Sequence, residues 1–266
     1  MRLKTAVKYL SLTWEMKKRT ILSAMEYRAS FLMHVFGMML NDTAIIALWF
    51  IFFQKFPSIK GWEFNDTLLL FSFSTMIFGL VMVLTYGAFE LAKTITRGEL
   101  DYYLTFPQNL IWHIAVSKTK IAAIGDFIFS IIIFLIASAF SLEKIAFFIP
   151  ISLLAALIFF NFILITQSIA FFVGNFEDAA EHLFHALLGF TLYPQTTFYG
   201  ALKVIMFTII PAFFIATVPV QLIKSFSPTL FLGMLACWLA TSLIALIVFR
   251  AGLRRYESGN LINIRV

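Results

Sequence analysis

The sequence predicts an all-α membrane protein with six transmembrane helices, and three observations carry that expectation. Of the 266 residues, 61% are hydrophobic and only 13% charged, against about 45–50% and about 25% in a soluble domain. Even ordinary proteins lack the polar surface to cover their apolar atoms, so this chain cannot hide its apolar content inside one water-soluble body. Second, six stretches reach the roughly 20 mostly apolar residues that a helix needs to cross a hydrocarbon core about 30 Å thick. Third, Lys and Arg divide unevenly among the connections, as they do between the two sides of a membrane protein. Thirty-three Phe beside 12 Gly and 7 Pro exclude disordered and low-complexity classes, which need the opposite bias.

Taken in order, the elements of this single domain (1–266) begin with a head over 1–30. There Leu3, Val7, Leu10 and Trp14 recur at i, i+4, i+7 and i+11, with Lys4, Lys8 and Lys17-Lys18-Arg19 around them. That pattern predicts an amphipathic helix lying at the membrane interface. The first long apolar run starts near residue 31, too late and too long for a cleavable signal peptide. Spans are expected over 31–53, 67–90, 120–140, 145–173, 204–223 and 229–250. The first is interrupted by Asn41-Asp42-Thr43 and the fifth by Pro211, both tolerable only inside a bundle. The single cysteine, Cys237, allows no intrachain disulfide.

With both termini in the cytoplasm, only Lys55, Lys60, Lys144 and Lys224 of the 20 Lys and Arg fall outside, which fixes the expected orientation. The pI near 9.4 then follows from topology and attraction to anionic lipid, and no nucleic-acid partner is implied. Two long cytoplasmic connections remain, 91–119 and 174–203. From Lys93 to Pro107 charges mix with apolar side chains up to a proline, which reads as a short exposed amphipathic turn or as a plain solvated connector. In the second connection, Asn175 reads as an N-cap, with Glu177 and Asp178 in the acidic first turn it would introduce. Phe176, Ala180, Leu183 and Leu187 then repeat at helical spacing. His182 and His185 lack a third ligand and HExxH is absent, so no metal site is expected.

No GxxxxGK[ST] occurs, so the chain has no nucleotide-binding loop of its own, and GxSxG is missing too. Transport without catalysis is therefore the expected role. Within the spans the ionisable residues are Asp42, Asp126 and, near the inner boundary, Glu90. A lone carboxylate in lipid costs several kcal/mol unless paired, hydrated or protonated. Asp42, at mid-span, is the better candidate for a polar lining; Asp126, only about seven residues into its span, is expected to face a subunit interface, to be hydrogen-bonded inside the bundle, or to reach water at the boundary.

Arg97-Gly98-Glu99-Leu100-Asp101-Tyr102-Tyr103-Leu104 followed by Pro107 resembles the G-x-L-D-x-x-L-x-x-P element between spans two and three of the membrane permease subunits of ABC type-2 exporters. Tyr193-Pro194, Tyr199, Ile210-Pro211-Ala212-Phe213 and Pro219 resemble the tyrosine-proline segment entering that group's fifth span. The tail from Gly252 to Asn260 resembles its ending. The resemblance implies a permease dimer, of identical or similar chains, in the cytoplasmic (inner) membrane. A separate ABC ATPase would bind ATP and Mg and drive it, so this chain would need no cofactor. It further implies that Arg97, Gly98, Glu99, Leu100, Asp101 and Pro107, with Glu177 and Asp178, form the ATPase-coupling segments; Asp42, from its place in the first span, is a candidate for the translocation path, and Pro211 for a hinge. The competing expectation is a secondary transporter or channel driven by an ion gradient, and a third is an accessory scaffold.

Overall fold

In the computed structural model, residues 2–257 are described, with side chains from residue 7 onward. The expected contributions of Arg2, Leu3 and Lys4 to the head's faces, and the tail residues Ser258, Gly259, Asn260 and Arg265, lie outside the described side chains. Among the described residues the structure is helical, apart from one isolated bridge between Ile59 and Trp62. The helices are α1 (Arg2–Met25), α2 (Arg28–Lys55), α3 (Phe64–Phe89), α4 (Leu91–Thr96), α5 (Leu100–Leu104), α6 (Leu110–Val116) and α7 (Ala123–Ala137). They continue as α8 (Leu142–Ser168), α9 (Ala170–Val173), α10 (Glu177–Thr191), α11 (Gly200–Thr208), α12 (Ala212–Ile215), α13 (Thr217–Lys224) and α14 (Pro228–Leu253). Four of these segments are long and apolar enough to cross a membrane, namely Arg28–Lys55, Phe64–Thr96, Leu142–Val173 and Pro228–Leu253, and α7 is a shorter apolar helix. The protein is a multi-pass membrane protein.

The centre of the bundle is α3. Its sequence is apolar on every side, and a helix of that kind must be surrounded; α7 and α8 enclose it, and Leu69, Leu70, Phe73, Ile77 and Met82 are buried. Phe73, Phe134 and Phe148 join the three helices, with ring centroids 4.8 Å apart for Phe73–Phe148 and 3.7 Å for Phe134–Phe148. Near its proximal end α3 kinks at Thr85 (φ −136°, ψ 29°), and beyond it the Gln167 side chain accepts a hydrogen bond from Ala92 N in α4. Asn161 ties α8 to α14 by donating to Thr241 and Ser242, polar contacts that hold helices together where lipid supplies no hydrophobic drive. By contrast α2 and α14 leave most of their surface uncovered.

The bundle has two ends. At the proximal end, α1 lies against the segment carrying α6, α4 stands beside α9, and Phe171 packs on Phe249 and Tyr256 at the close of α14. At the distal end, the turn between α2 and α3 is shaped by Lys60 (φ 49°) and Gly61 (φ 83°), and Asn65 donates to the carbonyl of Ala137 at the end of α7.

These contacts revise the expected layout at several points. The stretch 204–223 is not a continuous spanning helix: it is broken into α11, α12 and α13, and both of its ends are distal. Tyr199, just before α11, sits under the Lys60 ammonium at 3.9 Å, and Lys224, closing α13, pairs with Asp66 at 2.6 Å. With nine residues, α11 is about 14 Å long, less than half a hydrocarbon core. Pro211, expected as a kink within a span, instead caps α12 (φ −74°, ψ 39°) at the break between the two arms of this hairpin.

The connection expected to remain at one surface over 174–203 instead runs through the bundle. Its helix α10 starts beside Tyr86, Glu90 and Lys93 and reaches Ser74, whose hydroxyl donates to the carbonyl of Thr191 at 3.0 Å. Tyr193 then meets Trp49 near the distal end of α2, so Lys203 is distal. Asn175 does not cap α10; Phe176 holds that position without a side-chain cap. Glu177 and Asp178 do occupy its first turn, where they complement the helix dipole. Hydropathy misassigned this region because α10 carries Glu181, His182 and His185, while the hairpin is the more apolar of the two.

Candidate functional site

Two regions carry the polar side chains. The first is the proximal platform formed by α1, α4, α5 and α6. Its Gly98 turns the chain between α4 and α5 with φ +71°, a left-handed conformation that favours glycine. The turn leaves Arg97 and Glu99 exposed, and Pro107 is exposed in the next loop. Leu100, however, is fully buried with Leu91, Ile95, Ile114 and Phe249; it anchors the turn and has no exposed surface for docking. Asp101 is half-buried and faces Tyr256, and burial followed by that carboxylate pushes the phenol up to about 12. The expected single amphipathic turn is thus several short helices, with α5 and α6 separated by the loop holding Pro107.

Sequence reading placed Lys17 in an exposed basic flank. The structure buries it at 4% exposure, with Nζ donating to the Lys118 carbonyl (2.7 Å) and to Thr119 Oγ1 (3.0 Å). Burial pulls this ammonium down to about 8. On the same face of α1 the Tyr9 hydroxyl oxygen accepts from Asn109 N and Thr13 Oγ1 accepts from the Trp112 indole N–H, while the Tyr9 and Trp112 rings meet edge to face at 4.6 Å. On the adjacent face, Val7, Leu10 and Trp14 are exposed, the apolar stripe that an interfacial helix turns to lipid. Nothing in the periodicity distinguishes Lys17 from Lys18; only the partner segment, about a hundred residues on, does.

Lys118 itself forms an ion pair with Glu90. Burial works against its ammonium, yet the hydrogen bond and charge of Glu90 outweigh this and hold it above its ordinary value. Burial holds His113 below the usual imidazole value, among Tyr103, Phe106 and Trp112. His185 approaches Glu181 at 3.5 Å on the exposed face of α10. His182 is exposed beside it.

The second region lies inside the bundle. Asp42 on α2 and Asp126 on α7 are each 2% exposed, and their carboxyls face one another. They border a cavity of about 170 Å³ between α2, α3, α7 and α10, shared with Ser74, Thr75, Phe71, Phe78 and Thr191. Of the places expected for Asp126, the structure gives the interior of the bundle and not the water boundary, and there it completes the polar lining that Asp42 alone suggested. Gly125 makes the meeting possible, because a Cβ there would stand 2.4 Å from the carbonyl oxygen of Val35. Pro211 does not line this cavity. Eighty-four positions separate the two carboxylates in sequence, so no local motif announces the pair.

No curated protein and no solved structure matches this chain. The family model described as ABC-2 family transporter protein matches residues 39–259, a range that includes the α4–α5 turn, the buried carboxylates and the distal hairpin. This match covers well over half of the sequence, and the chain therefore belongs to the ABC-2 transporter family, whose members are membrane transport subunits and not themselves catalytic.

Proposed function

We propose that this chain is the permease of an ATP-driven exporter, forming the translocation path with a second permease while a separate ABC ATPase supplies the energy. The family match over 39–259 carries this reading. Six crossings, by α2, α3, α7, α8, α10 and α14, would put the proximal platform and both termini in the cytoplasm. The Lys and Arg of α1 and of the segment from Lys93 to Lys120 agree with that side. The uncovered faces of α2 and α14 are available to lipid and to the second permease.

In this scheme Arg97, Glu99 and the acidic first turn of α10 with Glu177 and Asp178 meet the ATPase. Arg97 and Glu99 are exposed on either side of a turn locked by Gly98 and by the buried Leu100, so a push on the turn is transmitted to the core and not absorbed by a loose loop. From there Ala92 and Gln167 connect it to α8, and Lys118–Glu90 and Lys17 connect it to α3 and α1. A nucleotide-driven closure of the ATPase would then tilt whole helices, a rigid-body switch between two packings.

The test is co-purification of the chain with ABC ATPases co-expressed with it, followed by ATP hydrolysis of the complex. Association is expected for the native chain and loss of association for the double variant Arg97→Glu, Glu99→Lys, with membrane insertion unchanged. Flux through proteoliposomes of this chain alone, driven by an ion gradient, would replace the exporter reading with a secondary transporter.

A further inference from the structure

The pair Asp42–Asp126 holds unsatisfied acceptors in the interior of the bundle. The Oδ2 atom of each carboxyl is buried without a hydrogen-bond partner, and a buried acceptor left unsatisfied is costly, more so when charged. Asn41, also on the cavity wall, gives Asp42 a side-chain hydrogen bond, but the hydroxyls around the pair do not relieve the two Oδ2 atoms. Ser74 donates its proton to the carbonyls of Leu70 and Thr191, both at 3.0 Å, and Thr75 donates to Phe71 at 2.8 Å. Their hydrogens are engaged, so these hydroxyls add further acceptor lone pairs. Thr191 likewise gives its proton to Leu188. Lys120, in the connector before α7, faces Asp126 electrostatically. It does not line the cavity, and its ammonium stands over the Phe78 ring at 5.5 Å. From α3 and α10 no ionised side chain lines the cavity.

A chamber rich in acceptors and free of cationic donors selects a cation that brings its own N–H groups. Its remaining walls decide which kind. Met38, Ile45, Phe71, Phe78, Leu188 and Leu192 are apolar, and the two Phe rings offer π faces that attract an ammonium. Hard inorganic cations take six or more oxygen ligands, whereas among the described residues no group of three metal-ligating side chains occurs. An ammonium needs three acceptors and tolerates an apolar body. A volume of about 170 Å³ suits a single-ring or short-chain molecule.

We propose that the cavity between α2, α3, α7 and α10 binds a protonated primary amine carried on an apolar body, with Asp42 and Asp126 receiving the ammonium. That the bound amine is cargo rests on the permease reading; that it binds does not.

The experiment uses the full chain in lipid nanodiscs at pH 7, without any ATPase. Dicyclohexylcarbodiimide modifies carboxyls in apolar surroundings, and the adducts on Asp42 and Asp126 are mapped by peptide mass spectrometry. Phenethylamine is expected to protect both positions, while its neutral isostere phenethyl alcohol and an equal concentration of sodium chloride do not. Because this arm uses the native sequence, it survives any folding defect of a variant. In a second arm, radiolabelled phenethylamine binds saturably, and Asp126→Asn weakens binding by about thirtyfold or more, as loss of one partner of a buried charge pair does. Asp66→Asn at the distal end leaves binding unchanged.

Equal protection by the alcohol would overturn the proposal, since apolar filling would then suffice. Protection by sodium alone would assign the site to an inorganic cation. Absence of protection by all three would reduce the pair to two carboxyls sharing a proton. A chain that binds phenethylamine yet joins no ATPase refutes the permease reading and leaves the site; a chain that joins an ATPase and binds no amine refutes only the site.

Discussion

Replacing Gly125 by Ala tests how the interior pair is held together. The added Cβ would stand 2.4 Å from the carbonyl oxygen of Val35 and 3.1 Å from Met38 Cβ. An ordinary carbon–oxygen contact is well over 3 Å, so α2 must retreat by close to an ångström at this crossing. Neither obstacle is a flexible side-chain tip: one is backbone, and the other is rooted on it. Moreover α2 packs mainly on α7 within the chain, so it moves as a body and draws Asp42 away from Asp126. Overpacking of this kind costs about 1–3 kcal/mol.

The comparison is Gly37→Ala on the same helix, where a Cβ meets nothing within 4 Å and removal of a helical glycine gains about 0.5–1 kcal/mol. In thermal unfolding of the purified chain followed by intrinsic fluorescence, about 2–4 °C accompanies each kcal/mol for a protein of this size. Gly125→Ala is therefore expected to lower Tm by about 2–12 °C and Gly37→Ala to hold or raise it. Equal Tm values for the two variants would refute the close crossing, and with it the geometry that joins the carboxylates.

Three further outcomes follow from the proximal platform and the distal turn. Lys17 titrates near 8 in the folded chain against 10.5 unperturbed. The folded state therefore carries the full charge-burial penalty below pH 8 and sheds it as pH rises toward 10.5; the stability difference between wild type and Lys17→Met should shift in favour of wild type across that window, by up to about 3 kcal/mol, and a pH-independent difference would remove burial as the cause. Gly98→Ala, forced to φ +71°, should destabilise by about 1–2 kcal/mol in the same unfolding assay and weaken ATPase association, whereas unchanged values would show that the turn relaxes freely. With Cys237 replaced by Ser, single cysteines at Lys60 and Lys203 should react with a membrane-impermeant maleimide added to one side of the membrane, and a cysteine at Arg97 only from the other; labelling of Lys203 together with Arg97 would restore it to the proximal end.

How far the sequence reveals this arrangement depends on the range of the interaction. The apolar runs of α2, α3, α8 and α14 are legible because lipid imposes one constraint per residue along some 20 positions. The face of α1 that bears Val7, Leu10 and Trp14 is legible from its period. The split of the fifth apolar run is not. Both α10 and the 204–223 stretch pack into the same core, and which one traverses the bundle is decided by where their ends are held: Thr191 at Ser74 and Tyr193 at Trp49 carry α10 across, whereas Tyr199 at Lys60 and Lys224 at Asp66 keep both ends of the other stretch distal. Lys17 illustrates the same limit: its neighbours along the helix are solvated, and its burial depends on the carbonyl of Lys118.

Composition and charge distribution alone determine that this chain lives in lipid, and the motif around Gly98, in order with the tyrosine-proline segment and the tail, suggests its kinship, since all are local properties read along the chain. Tertiary structure decided that α10 passes through the bundle, that Pro211 caps a distal hairpin, and that Asp42 and Asp126 share one chamber. Those outcomes depend on which helix surfaces approach closely enough to exclude everything else, and a helix crossing such as Gly125 against Val35 is a property of two segments at once.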